Sequence, residues 1–196
     1  MIEALRAKFS EYDWEMVAHS EHRSIYQLKQ AGLPALYVKH YHPSTLLAQV
    51  RSVIGPLAEQ SCRMFEALSQ AGIGVPEVVL HSQVGTQSVL VTKAIEPGRP
   101  LSSLPRDQEL KVLLSMAGSL LKAGFIHKEL VAQDVVIDQA GKPALVDVSQ
   151  VARPSGLTRF NVIRTLARVI SPYEVSDEQL MEILPEKYRH DPHLLL

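Results

Sequence analysis

The stretch GFIHKELVAQDVVIDQAGKPALVDVSQ, residues 124–150, decides how the chain is interpreted. Its two apolar runs, at 135–138 and 144–148, are short, and a turn containing Gly141 and Pro143 separates them. Runs of this length on either side of a Gly- and Pro-containing turn predict a β-hairpin. The stretch therefore predicts a short β-hairpin that follows a helix ending at Gly124.

Four ionisable side chains surround this hairpin. His127 and Glu129 precede it, Asp134 lies just before its first run and Asp147 lies in its second. Segments at strand ends commonly carry functional groups. Three carboxylates and one imidazole there indicate a divalent metal ion with phosphate, because Mg²⁺ prefers oxygen ligands and bridges phosphate oxygens.

The composition is that of a globular protein with a sizeable core, since the 196 residues are 46% hydrophobic and 21% charged. Lys and Arg number 20 against 21 Asp and Glu, which leaves a net charge of −1 and no global basic field for nucleic acid. No apolar run approaches the ~20 residues of a membrane-spanning helix. Cys62, the single cysteine, excludes an internal disulfide and fits a reducing compartment, so we expect a cytoplasmic protein.

The N-terminal half is rich in strand patterns. SIYQLKQ at 24–30 and ALYVKHY at 35–41 predict two strands of a hairpin, with Lys39 in the middle of the second. A helical apolar stripe runs over 57–71, and two further strands, VVLHS and SVLVTKAI, follow it. We therefore expect a small sheet with one helix, preceded by a short N-terminal helix.

The C-terminal half is mostly helical. Pro and Gly cluster at 96–100, and we place the lobe boundary there, with an N-lobe at 1–96 and a C-lobe at 97–196. Helices are predicted near 107–123 and 159–170, the second with a stripe that includes Phe160 and Ile163. A last helix begins at Ser176, which forms a capping-box pattern with Gln179.

Two histidine pairs have the spacing of metal ligands, His19 with His22 and His190 with His193. No pair of cysteines accompanies them in the sequence. Solvated histidines are therefore the favoured interpretation of both pairs.

The motifs resemble those of the protein-kinase superfamily. HKELVAQD is similar to the catalytic loop H-x-D-L-x-x-x-N, Asp147 occupies the place of the metal-binding aspartate, and Lys39 of YVK resembles the strand lysine that contacts ATP phosphates. Within that superfamily, LYVKHYHP, AGIGVPEVV, VLVTKAIEPG, AGFIHKEL and LVDVSQVARP resemble the small bacterial lipopolysaccharide core kinases, the Kdo and heptose kinases. The resemblance covers roughly residues 23–170, and the order and spacing of the motifs agree.

The resemblance implies an α+β, kinase-like fold of two lobes, a small antiparallel sheet plus helix and a reduced helical C-lobe. It implies ATP and Mg²⁺ as cofactors, with Lys39 on the phosphates and Asp134 and Asp147 on the metal. Glu129 would orient the acceptor hydroxyl and His127 would brace the loop. Hydrogen bonds to adenine would come from the backbone of Lys93, Ala94, Ile95 and Glu96.

The function implied is phosphoryl transfer to a sugar hydroxyl, in lipopolysaccharide core assembly at the cytoplasmic face of the inner membrane. The partners expected are a nucleotide, a sugar or lipopolysaccharide-core acceptor and a peripheral contact with that membrane, and no nucleic acid. Only 49 residues follow Asp147, which disfavours the peptide-docking helices of protein kinases. A phosphotransferase that acts on antibiotics or other small alcohols is a variant of this function with a different acceptor.

The N-terminal motifs depart from the family pattern in two places. The segment His19–Ser24 contains no glycine, although a loop that covers phosphates needs close backbone approach. Ser61 stands where a glutamate partner of Lys39 is expected, which leaves Glu59, Glu66 or no residue as that partner.

The catalytic loop departs as well. Glu129 replaces aspartate and moves the carboxylate by about 1 Å, a displacement that can cost ~10²-fold in rate. Asp134 replaces asparagine and adds charge near Asp147. These departures support an alternative, a catalytically inactive pseudokinase that acts as a binding or regulatory protein. A protein kinase of unusual brevity is a second alternative.

Overall fold

The computed structural model describes residues 1–173 and 175–189, apart from the side chains of Arg168 and Lys187. The described chain divides into two compact units. The N-terminal unit consists of Met1–Ser69 and Val75–Glu96, and the C-terminal unit consists of Gln70–Gly74 and the described residues from Pro97 onward. The expected α+β class is confirmed. His190 and His193, the second histidine pair, lie outside the described residues.

The N-terminal unit is built on a five-stranded antiparallel sheet with the order β1-β2-β3-β5-β4. The predicted hairpin is confirmed, because β2 pairs with β3 in continuous register. Strand β3 pairs on its other side with β5, so the strand that carries Lys39 is the central one. The strands are β1 Asp13–His19, β2 Arg23–Lys29, β3 Leu36–Tyr41, β4 Val78–Val84 and β5 Gln87–Lys93.

The two faces of this sheet carry different side chains, because successive strand residues point to opposite faces. On one face Leu28, Val38 and Val91 form a buried core with Leu5 of helix α1, Ile2–Lys8. Lys39 and its cross-strand neighbours point to the other face. The sheet thus separates the apolar core of this unit from its buried lysine.

Two further helices belong to the N-terminal unit, α2 at Leu46–Ile54 and α3 at Leu57–Gln70. The predicted helix over 57–71 is confirmed, and it buries Cys62 and Phe65. The sequence pattern does not predict helix α2. Its only buried residue is Ser52, so its aliphatic residues do not form a core-facing stripe.

Three helices form most of the C-terminal unit, α4 Arg106–Lys122, α5 Arg159–Ile170 and α6 Asp177–Ile183. Helix α4 buries its predicted leucine stripe, and Gly124, with a φ of 83°, follows its end. The capping box of α6 is also confirmed.

The predicted stripe of α5 is wrong in detail. Phe160 is 68% exposed and Ile163 is 41% exposed, whereas Val162 and Val169, outside the predicted stripe, are buried. Leu166, which the stripe includes, is buried as predicted. The buried face is rotated by about 100° from the predicted stripe, which is the angle by which one residue advances a helix. The neighbouring helix α4 therefore packs against a face of α5 that differs from the apolar stripe predicted from the sequence.

Short strands complete the C-terminal unit. One pair is β7 Ile126–His127 with β10 Val151–Ala152, and a three-stranded sheet has the order β6-β8-β9. The predicted hairpin in 124–150 is confirmed as the β8–β9 pair. The strands of the three-stranded sheet are β6 Arg99–Pro100, β8 Val135–Ile137 and β9 Pro143–Leu145.

No helix in the described ranges is long and apolar enough to cross a membrane.

The linker Gln70–Gly74 packs within the C-terminal unit. The carbonyl of Gly74 accepts a hydrogen bond of 2.8 Å from the N–H of Leu145. A Cβ at Gly74 would lie 2.6 Å from the carbonyl oxygen of Pro143, so only glycine allows this approach. The linker therefore extends the edge of the hairpin that precedes Asp147.

Candidate functional site

Lys39 is the buried cation of the N-terminal unit. It lies in the middle of β3, paired with Ile25 on one side and Leu90 on the other, and is 9% exposed. Burying an ammonium group is costly without compensating polar groups. A lysine on a central strand has a fixed backbone, which suits a cation that must meet a phosphate group at a defined position.

The glutamates considered as partners of Lys39 each contact a neighbour on their own helix. Glu59 forms an ion pair with Arg63, and Glu66 accepts a hydrogen bond of 3.5 Å from the Cys62 thiol. Ser61 lies on the sheet-facing side of α3, with its hydroxyl 3.5 Å from that of Tyr41. The helix therefore presents a serine, not a carboxylate, toward β3 at the expected position.

Cys62 is a buried thiol with a raised pKa. Burial is the largest cause, and the charge and hydrogen bond of Glu66 act in the same direction. The thiol therefore stays protonated at neutral pH and is a poor nucleophile. This agrees with its interpretation as a small buried hydrophobic residue.

The segment that follows β5 is partly engaged within its own unit. The N–H of Lys93 donates to the carbonyl of Glu77 at 2.9 Å, and the N–H of Ala94 donates to the carbonyl of Ala35 at 2.8 Å. The Glu96 carboxylate accepts a hydrogen bond of 3.2 Å from the N–H of Ala35. Of the backbone N–H groups of residues 93–96, those of Lys93 and Ala94 are thus donated to backbone carbonyls.

The turn between β1 and β2 uses its own polar groups instead of glycine. The N–H of Ser20 donates to the carbonyl of Arg23 at 2.7 Å, and the N–H of Arg23 donates to the Ser20 hydroxyl at 3.1 Å. The buried Ser24 hydroxyl lies 3.0 Å from Nδ1 of His19 and 2.9 Å from Nε2 of His42. These contacts tie the turn to the sheet and leave fewer backbone donors for an anion.

Sequence reasoning did not single out His40 and His42, which lie near this turn. His40 is 8% exposed, its ring stands 5.2 Å from that of His42, and burial lowers its pKa. His40 and His42 lie on the face of β3 opposite Lys39, and the alternation in KHYH is the signal that places them there. His22 of the first histidine pair contacts the Ser44 hydroxyl at 2.9 Å.

His127 is the most buried ionisable residue of the predicted catalytic loop, at 1% exposure. Its Nδ1 accepts a hydrogen bond of 3.2 Å from the N–H of Glu129, so Nε2 carries the proton. Nε2 lies 3.8 Å from Oδ2 of Asp134, beyond hydrogen-bond range.

Burial lowers the pKa of His127, and the backbone and charge of Asp147 and the charge of Glu129 oppose this only partly. The imidazole is therefore neutral at pH 7. A ring that is almost fully buried and accepts a hydrogen bond from the loop backbone is suited to bracing the loop.

Asp134 and Asp147 lie on connected backbone segments. The carbonyl of Asp134 accepts a hydrogen bond of 2.7 Å from the N–H of Val146, and its carboxylate accepts one of 3.2 Å from the N–H of Val131. The Asp147 carboxylate accepts one of 3.0 Å from the N–H of Ser149. These bonds hold the residue before Asp147 directly against the turn that carries Asp134.

This donor set fits Mg²⁺ bound jointly with phosphate. Mg²⁺ is usually held by one or two carboxylates, with water and phosphate oxygens completing its shell. Asp134 and Asp147 are both half-buried, as expected for carboxylates that meet a ligand. Among the residues that the structure describes, no group of three or more His, Cys, Asp or Glu side chains could hold a metal by itself.

Glu129 is exposed, whereas His127 is buried and Asp134 and Asp147 are half-buried. Its backbone lies between the hydrogen bond to His127 and the buried Leu130. The backbone at Glu129 is therefore fixed on both sides while the carboxylate extends outward, where it is accessible to a substrate.

The predicted site residues fall into two sets. The C-terminal unit brings His127, Glu129, Asp134 and Asp147 into one hydrogen-bonded loop system. Lys39 and residues 93–96 belong to the N-terminal unit.

Comparison with known proteins identifies the fold. The model of the RIO domain family matches residues 33–168, and no curated protein matches the sequence. The crystal structure of an aminoglycoside-3'-phosphotransferase of type VIII is similar with a TM-score of 0.62 and 23% identity, over 96% of this chain and 90% of that chain.

A structure of WbdD gives a TM-score of 0.57 and 20% identity, over 82% of this chain and 37% of that one. Another structure, of the bifunctional kinase-methyltransferase WbdD, gives a TM-score of 0.54 and 18% identity, over 93% of this chain and 49% of that chain. The chain thus spans less than half of the WbdD chains, and at these identities the likeness shows the fold alone. The resemblance to the kinase superfamily is confirmed at that level, and with the family model matching well over half of its length, the chain belongs to the protein-kinase-like RIO domain family.

Proposed function

We propose that the protein transfers the γ-phosphoryl group of ATP to the hydroxyl of a sugar, with Mg²⁺ as cofactor. The observation that carries the proposal is the hydrogen-bonded loop system of the C-terminal unit, in which Val146 joins Asp134 to the segment of Asp147. Kinase-like family membership supports phosphoryl transfer in general. A lipopolysaccharide core sugar is the acceptor that the sequence motifs favour.

In this proposal the carboxylates of Asp147 and Asp134 bind Mg²⁺. Held by these carboxylates, Mg²⁺ would supply positive charge to the phosphate oxygens. Asp147 is the principal ligand, since its position corresponds to the family aspartate, and Asp134 supports it in place of asparagine. His127 positions the loop through its hydrogen bond to the N–H of Glu129.

Lys39 binds the α- and β-phosphates, and its burial on β3 favours a fixed point charge over a mobile one. Adenine recognition falls to the backbone of Ile95 and Glu96, because the N–H groups of Lys93 and Ala94 are engaged within the N-terminal unit. Glu129 orients the acceptor hydroxyl with its exposed carboxylate.

A small acceptor is favoured over a protein. The similar structures are those of an aminoglycoside-3'-phosphotransferase and a bifunctional kinase-methyltransferase, WbdD. The name of the first gives an aminoglycoside as its acceptor, which supports a small acceptor here. We place the reaction in the cytoplasm, at the inner membrane face, where a lipopolysaccharide core acceptor would be found.

The first test is a thermal-shift titration with ATP and Mg²⁺ on the wild type, Lys39→Ala and Asp147→Ala. Ligand at 100 times its dissociation constant stabilises a binder by about 2.7 kcal/mol. We expect that shift in the wild type and its loss in both variants. Lys29→Ala is the matched control, because Lys29 is an exposed strand lysine paired with Glu15. No shift in the wild type at saturating nucleotide would refute the proposal.

The second candidate function is that of a pseudokinase. The glycine-free turn that donates its own N–H groups at Ser20 and Arg23 favours it, as does glutamate at position 129. The two candidates differ in turnover. Release of ADP in the presence of core sugars supports the enzyme, nucleotide binding without ADP release supports the pseudokinase, and activity confined to a peptide panel supports a protein kinase.

A further inference from the structure

Helix α2 has its apolar side chains on the outside. Leu46 is 77% exposed, Leu47 61%, Val50 50%, Val53 58% and Ile54 83%. An amphipathic helix of a globular protein normally turns such residues toward the core. Five exposed aliphatic side chains on nine residues therefore require an explanation other than packing within this unit.

A hydrogen bond between Ser52 and Gln83 joins the inner side of α2 to strand β4. The buried Ser52 donates its hydroxyl to the carbonyl of Gln49 at 2.8 Å, and the Ser52 carbonyl accepts from Nε2 of Gln83 at 3.3 Å. The Thr45 hydroxyl caps the N-terminus by accepting the N–H of Ala48. Turning the helix over would bury aliphatic residues but would remove the bond to Gln83 and expose Ser52.

The exposed aliphatic residues share one face. At about 100° per residue, the five side chains fall within an arc of about 120°. Arg51 lies at one edge of this arc and Gln49 at the other. We call these five residues, Leu46, Leu47, Val50, Val53 and Ile54, the aliphatic face.

Arg51 is the only charged side chain of α2 and of the segment from Pro43 to Ala58. The Glu21 carboxylate lies before the N-terminus of the helix, where it accepts a hydrogen bond of 2.7 Å from the Ser44 hydroxyl. Interfacial helices place apolar residues among acyl chains and basic residues near anionic headgroups. Arg51 is exposed, and its long stem lets the guanidinium reach headgroups while the neighbouring aliphatic side chains insert.

We propose that the aliphatic face of α2 docks on the surface of a bilayer that contains anionic phospholipid. A second copy of the chain is a poorer occupant, because a stable dimer buries about 800 Å² per partner over some 20–30 residues, and one face of a nine-residue helix supplies only a fraction of that. A bilayer sets no such minimum, since each inserted side chain adds to the affinity and basic residues near the surface add further.

The inference deepens the proposed function by locating its membrane contact, but it does not rest on catalysis. An inactive pseudokinase with this helix would bind the same surface. Failure of membrane binding and failure of nucleotide binding are thus separate results, obtained on the same protein.

The test is co-sedimentation of the whole 196-residue chain with vesicles of phosphatidylcholine alone and of phosphatidylcholine with phosphatidylglycerol at about a 7:3 ratio. The variants are Ile54→Asp and Val50→Asp on the aliphatic face and Arg51→Gln at its edge. Val84→Asp is the matched control, because Val84 is 63% exposed in the same unit but outside α2. Circular dichroism and thermal unfolding without ligand confirm that each variant is folded.

We expect the wild type to bind the mixed vesicles and each aspartate variant on α2 to bind at least tenfold more weakly, with Val84→Asp unchanged. Arg51→Gln should weaken binding to the mixed vesicles only. Absence of wild-type binding to either vesicle overturns the proposal, as does an equal loss in Val84→Asp. A dimer in light scattering that Ile54→Asp dissociates also overturns it, in favour of self-association.

Discussion

The two sets of predicted site residues are held in place by different means. Lys39 is fixed by a central strand with ladder hydrogen bonds on both sides. Glu129, Asp134 and Asp147 lie in turns that are held by individual hydrogen bonds from or to His127, Val146 and Ser149. A lysine on such a strand is supported by a ladder of backbone hydrogen bonds, whereas the loop residues lie in turns without such a ladder, so the loop set should be more sensitive to single substitutions.

The largest effect is expected for Asp147→Asn. The amide keeps an oxygen for the N–H of Ser149, so the turn survives while the metal-binding charge is lost. We expect phosphoryl transfer to fall by about 10²–10³-fold, the range for removal of one charge-stabilising group. Initial rates with ATP, Mg²⁺ and a core sugar measure it.

Asp138→Asn is the matched control for this change. Asp138 also accepts a backbone N–H in a turn of the same unit, from Lys142 at 2.7 Å, but it has no proposed role in the reaction. An equal loss in Asp138→Asn would show that the carboxylates act through the structure of the loops and not at the metal.

A smaller effect is expected for His127→Ala. The substitution leaves the N–H of Glu129 without its acceptor, and loss of a residue that orients metal-site groups typically costs 10–100-fold. We expect kcat to fall by about that factor and the KM for ATP to change little. His81→Ala, at an exposed position of β4, should change neither. A change in KM alone would contradict a positioning role.

Glu129→Asp tests whether the length of this side chain limits the rate. Removing one methylene restores the family residue, and displacements of about 1 Å can cost up to ~10²-fold. We expect the rate to rise by about tenfold, with the thermal stability unchanged because the side chain is exposed. If the rate falls instead, the active geometry is adapted to glutamate.

The smallest effect is expected on the pH dependence of the free energy of unfolding. It compares two buried histidines, His40 on the strand and His127 in the loop. Burial lowers the pKa of each below the ordinary value of 6.5. The unfolded chain therefore binds more protons below that pH, so the free energy of unfolding must fall as the pH falls.

Urea unfolding at pH 7.5 and 5.5 measures this loss. His40→Asn and His127→Asn should each reduce the pH dependence, since each removes one titrating group. A loss that persists undiminished in both variants would assign it to other groups.

Much of the fold could be predicted from the sequence where apolar periodicity and burial coincide. The stripe of α4 and the face of α3 with Cys62 and Phe65 are buried as their spacing predicts. Apolar periodicity does not predict the buried face of a helix where contacts with another element determine that face. Phe160 of α5 is exposed because α4 contacts a different face, and α2 escapes prediction because its aliphatic residues face outward.

The candidate site was predictable to a similar extent. The residue types in HKELVAQD and their order are enough to indicate a catalytic loop. The hydrogen bond between Asp134 and Val146 and the engagement of the Lys93 and Ala94 N–H groups depend on residues distant in the sequence. Such tertiary hydrogen bonds leave no local pattern in the amino-acid sequence, so periodicity and motif spacing do not predict them.

The linker Gln70–Gly74 has a consequence for how this chain can be divided or recombined. The polypeptide enters the C-terminal unit twice, first through five residues that lie inside the N-terminal sequence. A gene cut after the codon for Glu96 would give a downstream fragment without the Gly74 carbonyl that pairs with Leu145 and without the buried Ile73. Recombination therefore cannot exchange either unit as one continuous gene segment. Because Gln70–Gly74 is encoded within the N-terminal sequence, the two units must be inherited together.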